Sequence, residues 1–383
     1  MDETGGKKIR VLFVAGKGYT IPFYVNMLQG LNKTSSIHFT SCEGEANWKK
    51  FDVIMLMYNT CDKYLRNIRK NNPACKIGVV DPRHIEGEVL NADFAVVQGI
   101  EEENWLSDYY FDIFRYDFHP TFPCQLKRHT DKEKIVIGYH GNKIHLQTMY
   151  PYLTTAIEAL ANDFNIKFRA YYNVEMLGHV EFDLFPSGKV DYKEIQWKED
   201  VFTEYMVKNV DIGVVPNLIP IKNPSEAKKK IESFPEYFNE HETDNLVRYK
   251  TTSNIARLYP FARLGIPVVA DMYPSSCAMI RPGVTGFLGG SAGMWYRSLY
   301  KLASSAELRS CIGKNLQEQY LLNASAGIFN KSFEEFLHKI AVEPARKMPL
   351  ELLNAGNRLN IMSRDHKKFL LRKCMKITKY FLK

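Results

Sequence analysis

No stretch of this 383-residue chain approaches the roughly 18 to 20 consecutive apolar residues that a bilayer span needs, and the first apolar run, Val11 to Ala15, is only strand-length. The opening Met-Asp-Glu-Thr-Gly-Gly-Lys-Lys carries charge with no apolar segment behind it. Neither a secretory signal nor an integral membrane protein is expected. Cysteine is sparse: Cys42, Cys61, Cys75, Cys124, Cys277, Cys311 and Cys374 are odd in number, with no pair at zinc or redox spacing. Ordinary buried thiols in a reducing, cytoplasmic compartment are expected, where the Asn-x-Ser/Thr triplets at Asn32, Asn323 and Asn330 carry no meaning. Acidic residues are scarce in one place. Arg364, Lys367, Lys368, Arg372, Lys373, Lys376, Lys379 and Lys383 face the single acid Asp365, a net +7 that leaves +1 of the formal +8 for everything before it. The basicity therefore describes a terminal segment, and no nucleic-acid-binding body is expected.

What is present suits two packed cores. The length exceeds what one core usually organises, and 45% hydrophobic with 13% aromatic residues supplies both. Lys8 to Ala15 reads as a strand, Gly16-Lys17-Gly18 as its turn, and Pro22 to Asn32 as an amphipathic helix. Strands at Phe51 to Tyr58, Lys76 to Asp81 and Phe94 to Gln98 follow, with a helix Asp62 to Asn71. From Phe118 to Lys134 the rhythm is lost around Pro120 and Pro123, which places a linker there. A second series follows: strand Lys134 to Tyr139, helix His145 to Asp163, strands Ile166 to Tyr172 and Asp211 to Pro216, helix Asn254 to Leu264, strand Ile266 to Asp271 and a helical stretch Gly293 to Leu322. Short apolar strands alternating with helices imply parallel sheets covered on both faces, hence an α/β chain of two Rossmann-like domains facing each other across a cleft. The expected bounds are 1–125, 126–335 and a helical tail 336–383. Asn217 to Val247, with Pro220, Pro224, Pro235 and Lys228-Lys229-Lys230, reads as an insertion at the ligand-binding edge, either a lid or a solvated excursion.

Four polar clusters fall at strand ends. Gly16 and Gly18 allow close backbone approach to a ligand, although no full dinucleotide fingerprint or P-loop spacing follows, and a plain tight turn is the alternative. Asp81-Pro82-Arg83-His84 offers Asp81 and His84 as acid-base or hydroxyl-binding groups, or else a proline-fixed turn with exposed polar residues. In the turn His140-Gly141-Asn142-Lys143, Gly141 permits close approach and its neighbours offer donors for a pyrophosphate or for sugar hydroxyls. Lys250-Thr251-Thr252-Ser253-Asn254 precedes a helix, with Thr252 or Ser253 as natural cap. Its free amides, the positive helix end and Lys250 suit a diphosphate, a plain capped helix being the alternative.

That last stretch, running through Leu264-Gly265-Ile266-Pro267-Val268-Val269-Ala270 to Gly283-Val284-Thr285-Gly286-Phe287-Leu288, resembles the GT-B superfamily, particularly the family 1 and family 4 glycosyltransferases of bacterial surface-polysaccharide synthesis. The resemblance is specific over Asp211 to Leu288, consistent in order over Lys8 to Leu322, and absent over the last 50 or so residues. It implies a nucleotide-sugar donor site in the second half, an acceptor site in the first, and transfer across the cleft. Many family 4 members carry two glutamates where this chain has Thr252 and Pro260, a departure that leaves a different sugar, a different mechanism or lost activity open. Pro260 is expected to kink its helix.

In the tail, Leu370, Cys374, Ile377 and Phe381 fall on one helical face and Lys368, Arg372, Lys376, Lys379 and Lys383 on another. A basic amphipathic helix of this kind suits an anionic membrane surface, with packing back on the body as the alternative. The expectation is a hexosyltransferase-like enzyme, peripheral on the inner face of the membrane. It would move a sugar from a nucleotide-diphosphate sugar to a glycan or lipid-linked acceptor without cofactor or metal, the donor being a substrate. Transfer of a polyol phosphate, epimerisation of a nucleotide sugar and a non-catalytic scaffold are the competing expectations.

Overall fold

The computed structural model describes residues 8–16, 27, 29–33, 36–82, 87–117, 119–120, 122–149, 152–217, 219–220, 247–248 and 255–349. Two six-stranded parallel sheets organise them. The first holds β1 (Ile9–Ala15), β2 (Ile37–Glu43), β3 (Val53–Met57), β4 (Lys76–Val80), β5 (Phe94–Val97) and β6 (Asp112–Arg115), in the order β2-β1-β3-β4-β5-β6. Central strands such as Val-Ile-Met-Leu-Met of β3 are apolar at every position because helices cover both faces. Helices α1 (Cys61–Asn71) and α2 (Ile100–Leu106) belong to this half.

The second half runs β7 (Lys134–His140), α3 (Lys143–Thr148), α4 (Tyr152–Leu160), β8 (Asn165–Tyr172), α5 (Val174–Leu177), β9 (Asp191–Gln196), α6 (Glu199–Asn209) and β10 (Ile212–Val215). A short antiparallel ladder of β11 (Ile219–Pro220) and β12 (Val247–Arg248) joins the two ends of the insertion, whose residues 221–246 lie outside the described ones. Then come α7 (Leu258–Arg263), β13 (Val268–Asp271), α8 (Pro274–Met279), β14 (Phe287–Gly289), α9 (Ala292–Ser304), α10 (Ala306–Asn323) and α11 (Ala326–Val342). The sheet order is β14-β13-β10-β7-β8-β9, the doubly wound arrangement in which the chain leaves β7 towards one edge and later resumes on its other side.

Several expected boundaries are corrected. The helix expected over 145–163 is two, α3 and α4, with Pro151 between them in the sequence, and proline cannot continue a helix. The stretch 293–322 is also two helices, because the Ser305 side chain accepts from the Leu308 amide at 3.0 Å and starts α10 afresh. Pro260 does not fall in a helix interior. A 3-10 turn, Ile255–Arg257, precedes α7, so proline stands in the first helical turn, where an N–H would have no intrahelical acceptor. The domain bound at 335 moves: Phe333, Leu337 and Ile340 of α11 are buried among Val11, Phe13, Met55 and Phe94. Apolar residues at three- and four-residue spacing give α11 the face that covers the first sheet, so residues 326–342 return to the N-terminal domain. Of the six described cysteines, all free, only Cys61 and Cys75 are buried, while Cys124, Cys277 and Cys311 are exposed. Among the described residues no helix is long and apolar enough to cross a membrane. The tail Arg364 to Lys383 lies outside them.

Candidate functional site

In a doubly wound sheet, ligands bind beyond the carboxyl ends of the strands where the chain changes direction, because the loops there diverge and leave a crevice. In the second domain that place lies between β7 and β10. The chain puts the turn after His140 there, Asn217 just past β10, and Tyr273 to Ser276 just past β13. Arg257 arrives from the turn before α7.

The contacts make one cluster. Arg257 donates from a terminal guanidinium nitrogen to the Oδ1 of Asn217. Asn217, with no exposed surface, donates its backbone N–H to Asp271 Oδ2 at 2.5 Å. The Arg257 carbonyl accepts from His140 Nε2 at 2.8 Å. That bond fixes the tautomer with the proton on Nε2. Burial holds the ring's pKa down to about 4, so His140 is neutral and orients Arg257 instead of adding charge. Gly141 has φ 139°, and a Cβ there would fall 2.4 Å from Arg257 Nε and 2.8 Å from Tyr139 Oη. Glycine is thus required by both conformation and space. Four buried polar atoms, Arg257 Nε, Asn217 Nδ2, Tyr273 Oη and Ser276 Oγ, have no hydrogen-bond partner among the described residues. Tyr273 lies close to Ser276 and Asn217 and feels the Arg257 charge, without forming a well-aligned bond to either side chain. Buried polar atoms without partners are uncommon, and several in one crevice mark a place for a polar ligand.

Among the expected donor-site residues, His140 and Gly141 enter this cluster, in altered roles. The Gly141 amide donates to the Tyr171 carbonyl at 3.1 Å, so its close approach is to Arg257. Asn142 and Lys143 are engaged elsewhere. The Asn142 side chain caps α3, accepting from Ile144 at 3.0 Å, and Lys143 Nζ donates to the His179 carbonyl at 3.1 Å beside Glu181. Lys250, Thr251, Thr252, Ser253 and Asn254 lie outside the described residues, as do Gly18 and His84.

In the first domain the strand order reverses between β1 and β3. A cavity of about 450 Å³ opens there, lined by Gly16, Glu43, Gly44, Asn59, Lys63 and Tyr64 among others. Asp81, at the end of β4, is 2% exposed and adopts φ 54° just before Pro82, a conformation that an L-residue seldom takes.

Polar ties cross between the domains next to the cluster. Glu101 of α2 accepts from the Ser275 N–H at 2.9 Å and the Ser275 hydroxyl at 2.5 Å, two residues from Tyr273. Tyr259, two residues past Arg257, donates to Asp117 Oδ2 at 2.6 Å, and its ring stacks on His119 at 5.3 Å. Burial raises Asp117 to about 6, against the opposing charge of Arg115 and the Tyr259 bond.

Sequence reasoning passed over Arg257, Asn217, Tyr273 and Glu101. The signal for three of them was a polar residue two to four positions past an apolar strand (Val215-Pro216-Asn217, Asp271-Met272-Tyr273 and Val97-Gln98-Gly99-Ile100-Glu101), which doubly wound order places at the sheet's carboxyl edge.

No family model and no curated protein matches the sequence. Among solved structures the chain is similar to a glycosyltransferase from Rickettsia africae at 11% identity and TM-score 0.55, over 88% of this chain and 100% of that one. It is also similar to sucrose-phosphate synthase from Thermosynechococcus elongatus at 10% identity and TM-score 0.52, over 87% and 99%. HepE of Anabaena, in complex with UDP and glucose, follows at 9% identity and TM-score 0.51, over 86% and 100%. Likeness at such identities speaks for the fold, and together with the two parallel sheets and their strand orders it shows that this chain has the GT-B fold, two Rossmann-like domains facing each other across a cleft.

Proposed function

We propose that the chain is a glycosyltransferase that takes a sugar from a nucleotide-diphosphate donor held at Arg257. The observation that carries this reading is the convergence, at the β7/β10 switch point, of one guanidinium with Asn217 Nδ2, Tyr273 Oη and Ser276 Oγ, none of which has a hydrogen-bond partner among the described residues. A guanidinium suits phosphate oxygens in shape and charge. Its catalytic part is to stabilise the charge that grows on the departing diphosphate, as preoriented donors in a dry site do without reorganisation. No metal or cofactor takes part in this scheme. Lys250 and the amides of Thr251 to Asn254, which run directly into Ile255, complete the anion site, and the HepE complex with UDP and glucose is in keeping with such a donor. The acceptor, a glycan or a lipid-linked sugar, enters from the first domain beside Gly16, and His84 and Asp81 are its candidate acid-base residues. The basic segment Arg364 to Lys383 brings the enzyme to the cytosolic face of an anionic membrane.

The test is a thermal-shift and calorimetry panel of UDP, GDP, CDP and their sugars, followed by product analysis for slow donor hydrolysis. At least one pair should bind, with turnover of its sugar form. Absence of binding by every nucleotide overturns the reading, and binding without any turnover leaves a non-catalytic donor-binding protein.

A further inference from the structure

The second sheet ends at β14, which has a neighbouring strand on one side alone among the described residues. Beside this edge strand opens a cavity of about 410 Å³, a size usual for small-ligand sites, lined among others by Met272, Phe287, Leu288, Met294, Arg297 and Lys301. Its apolar wall meets solvent. Met272 is 48% exposed, and the Met272 and Met294 sulfurs approach one point, 3.2 and 3.9 Å from where a Gly290 Cβ would stand. Thioethers adapt readily to apolar ligands of varied shape. The cations come from α9, where Met294, Arg297, Ser298 and Lys301 recur at three- and four-residue spacing and so share one face. Lys301 Nζ stands 5.7 Å from the centre of the Phe287 ring, and Arg297 donates only its Nε, to the Gly293 carbonyl at 3.4 Å. Neither cation has an ion-pair partner among the described residues. Like charges four residues apart on a helix repel unless an anion comes between them.

We propose that this cavity binds a phosphate monoester with an apolar body, its phosphate between Arg297 and Lys301 and its body on Met272, Phe287 and Met294. Two adjacent cations match the near-double charge of such a phosphate better than the single charge of a carboxylate. The Ser298 hydroxyl, on the same helix face, supplies a further donor. The site does not depend on the nucleotide-sugar reading of the Arg257 cluster. The two places nevertheless share one strand end, since Met272 stands between Asp271, which accepts the Asn217 N–H, and Tyr273 of that cluster. A membrane lipid and a soluble ester both present this chemistry.

The experiment follows isotope-labelled methionine methyls of the full chain by NMR while hexyl phosphate, inorganic phosphate and hexanol are added in separate titrations. Hexyl phosphate should shift the Met272 and Met294 methyls and bind about tenfold or more tightly than inorganic phosphate or hexanol. The double variant Arg297→Gln/Lys301→Gln replaces two exposed side chains, so it should keep the wild-type melt and bind hexyl phosphate about tenfold or more weakly, with hexanol within about twofold. Met272→Glu, also at an exposed position, leaves both cations and sets a carboxylate against the phosphate, and should weaken hexyl phosphate by a similar factor. Unmoved methyls, hexyl phosphate no tighter than its two halves, or undiminished binding by both variants would each overturn the proposal. Sedimentation with vesicles of phosphatidic acid against phosphatidylglycerol separates the two sources. A preference for phosphatidic acid that the double variant loses assigns the site to a membrane lipid, and its absence beside intact hexyl phosphate binding assigns it to a soluble ester.

Discussion

Replacing Arg257 with methionine keeps the length and apolar stem of the side chain and deletes the guanidinium. Two losses follow. Asn217 has no exposed surface, its Nδ2 has no partner among the described residues, and its Oδ1 would lose the Arg257 bond. Leaving a buried acceptor unsatisfied costs about 1 to 3 kcal/mol, so stability should fall by that order and the melting temperature by a few degrees. The His140 bond goes to the Arg257 backbone carbonyl and should survive, which keeps the β7 turn in place. The second loss is in affinity. A charge-assisted bond to phosphate is worth about 1.5 to 3 kcal/mol, hence a ten- to hundredfold weaker nucleoside diphosphate. A bare nucleoside has nothing to lose at this position. Calorimetry of the diphosphate and the nucleoside on both proteins, with circular dichroism and a melt alongside, reads the two effects separately. Equal weakening of both ligands would mean that the domain, and not the anion site, was damaged. Unchanged diphosphate affinity in a folded variant would refute the assignment of Arg257 and send the phosphates to Lys250 to Asn254.

Four further outcomes are expected. Gly141→Ala forces a Cβ to 2.4 Å from Arg257 Nε at φ 139°, which should destabilise the second domain by about 1 to 3 kcal/mol and weaken diphosphate binding; a wild-type melt with wild-type affinity would contradict it. Asp117, raised by burial from 3.8 to about 6, binds a proton more tightly folded than unfolded, so its contribution favours the folded state as pH falls and is lost as pH rises through about 6; chemical denaturation at several pH values should show this share of the slope vanish in Asp117→Asn. His119, His129 and His140, lowered to about 3, 4 and 4, act in the opposite sense, because the unfolded chain takes up their protons below about 6.5, and three such groups should outweigh Asp117 so that the protein loses stability from pH 7 to pH 4.5; gain of stability on acidification would sink this balance. Removing Arg364 to Lys383 should leave a folded protein that no longer sediments with anionic vesicles, at about 1 kcal/mol for each basic residue near the surface, and unchanged sedimentation would refute the anchor.

What the linear order of residues carried was periodicity and punctuation. Central strands such as β3 and β10 are buried at every position and show as unbroken apolar runs, so the two α/β halves could be read directly. Edge strands could not. β2 reads Ile-His-Phe-Thr-Ser-Cys-Glu and β9 reads Asp-Tyr-Lys-Glu-Ile-Gln, half polar because one long side meets solvent, and both lack the signal of a strand. The glycine turn at His140-Gly141 was legible for the same local reason, since a residue forced to positive φ leaves its mark in the sequence.

Only the tertiary structure decided who meets whom at that turn. Arg257 lies 117 residues from His140 and 40 from Asn217, and Glu101 lies 174 residues from Ser275, separations across which no local pattern reaches. The same holds for α11, whose apolar residues recur at helical spacing while the sheet that they cover lies within the first 115 residues of the chain. A sequence fixes backbone conformation through neighbours and burial through periodicity. Pairing across domains depends on the strand order of two open sheets, and that order exists only once the chain has folded.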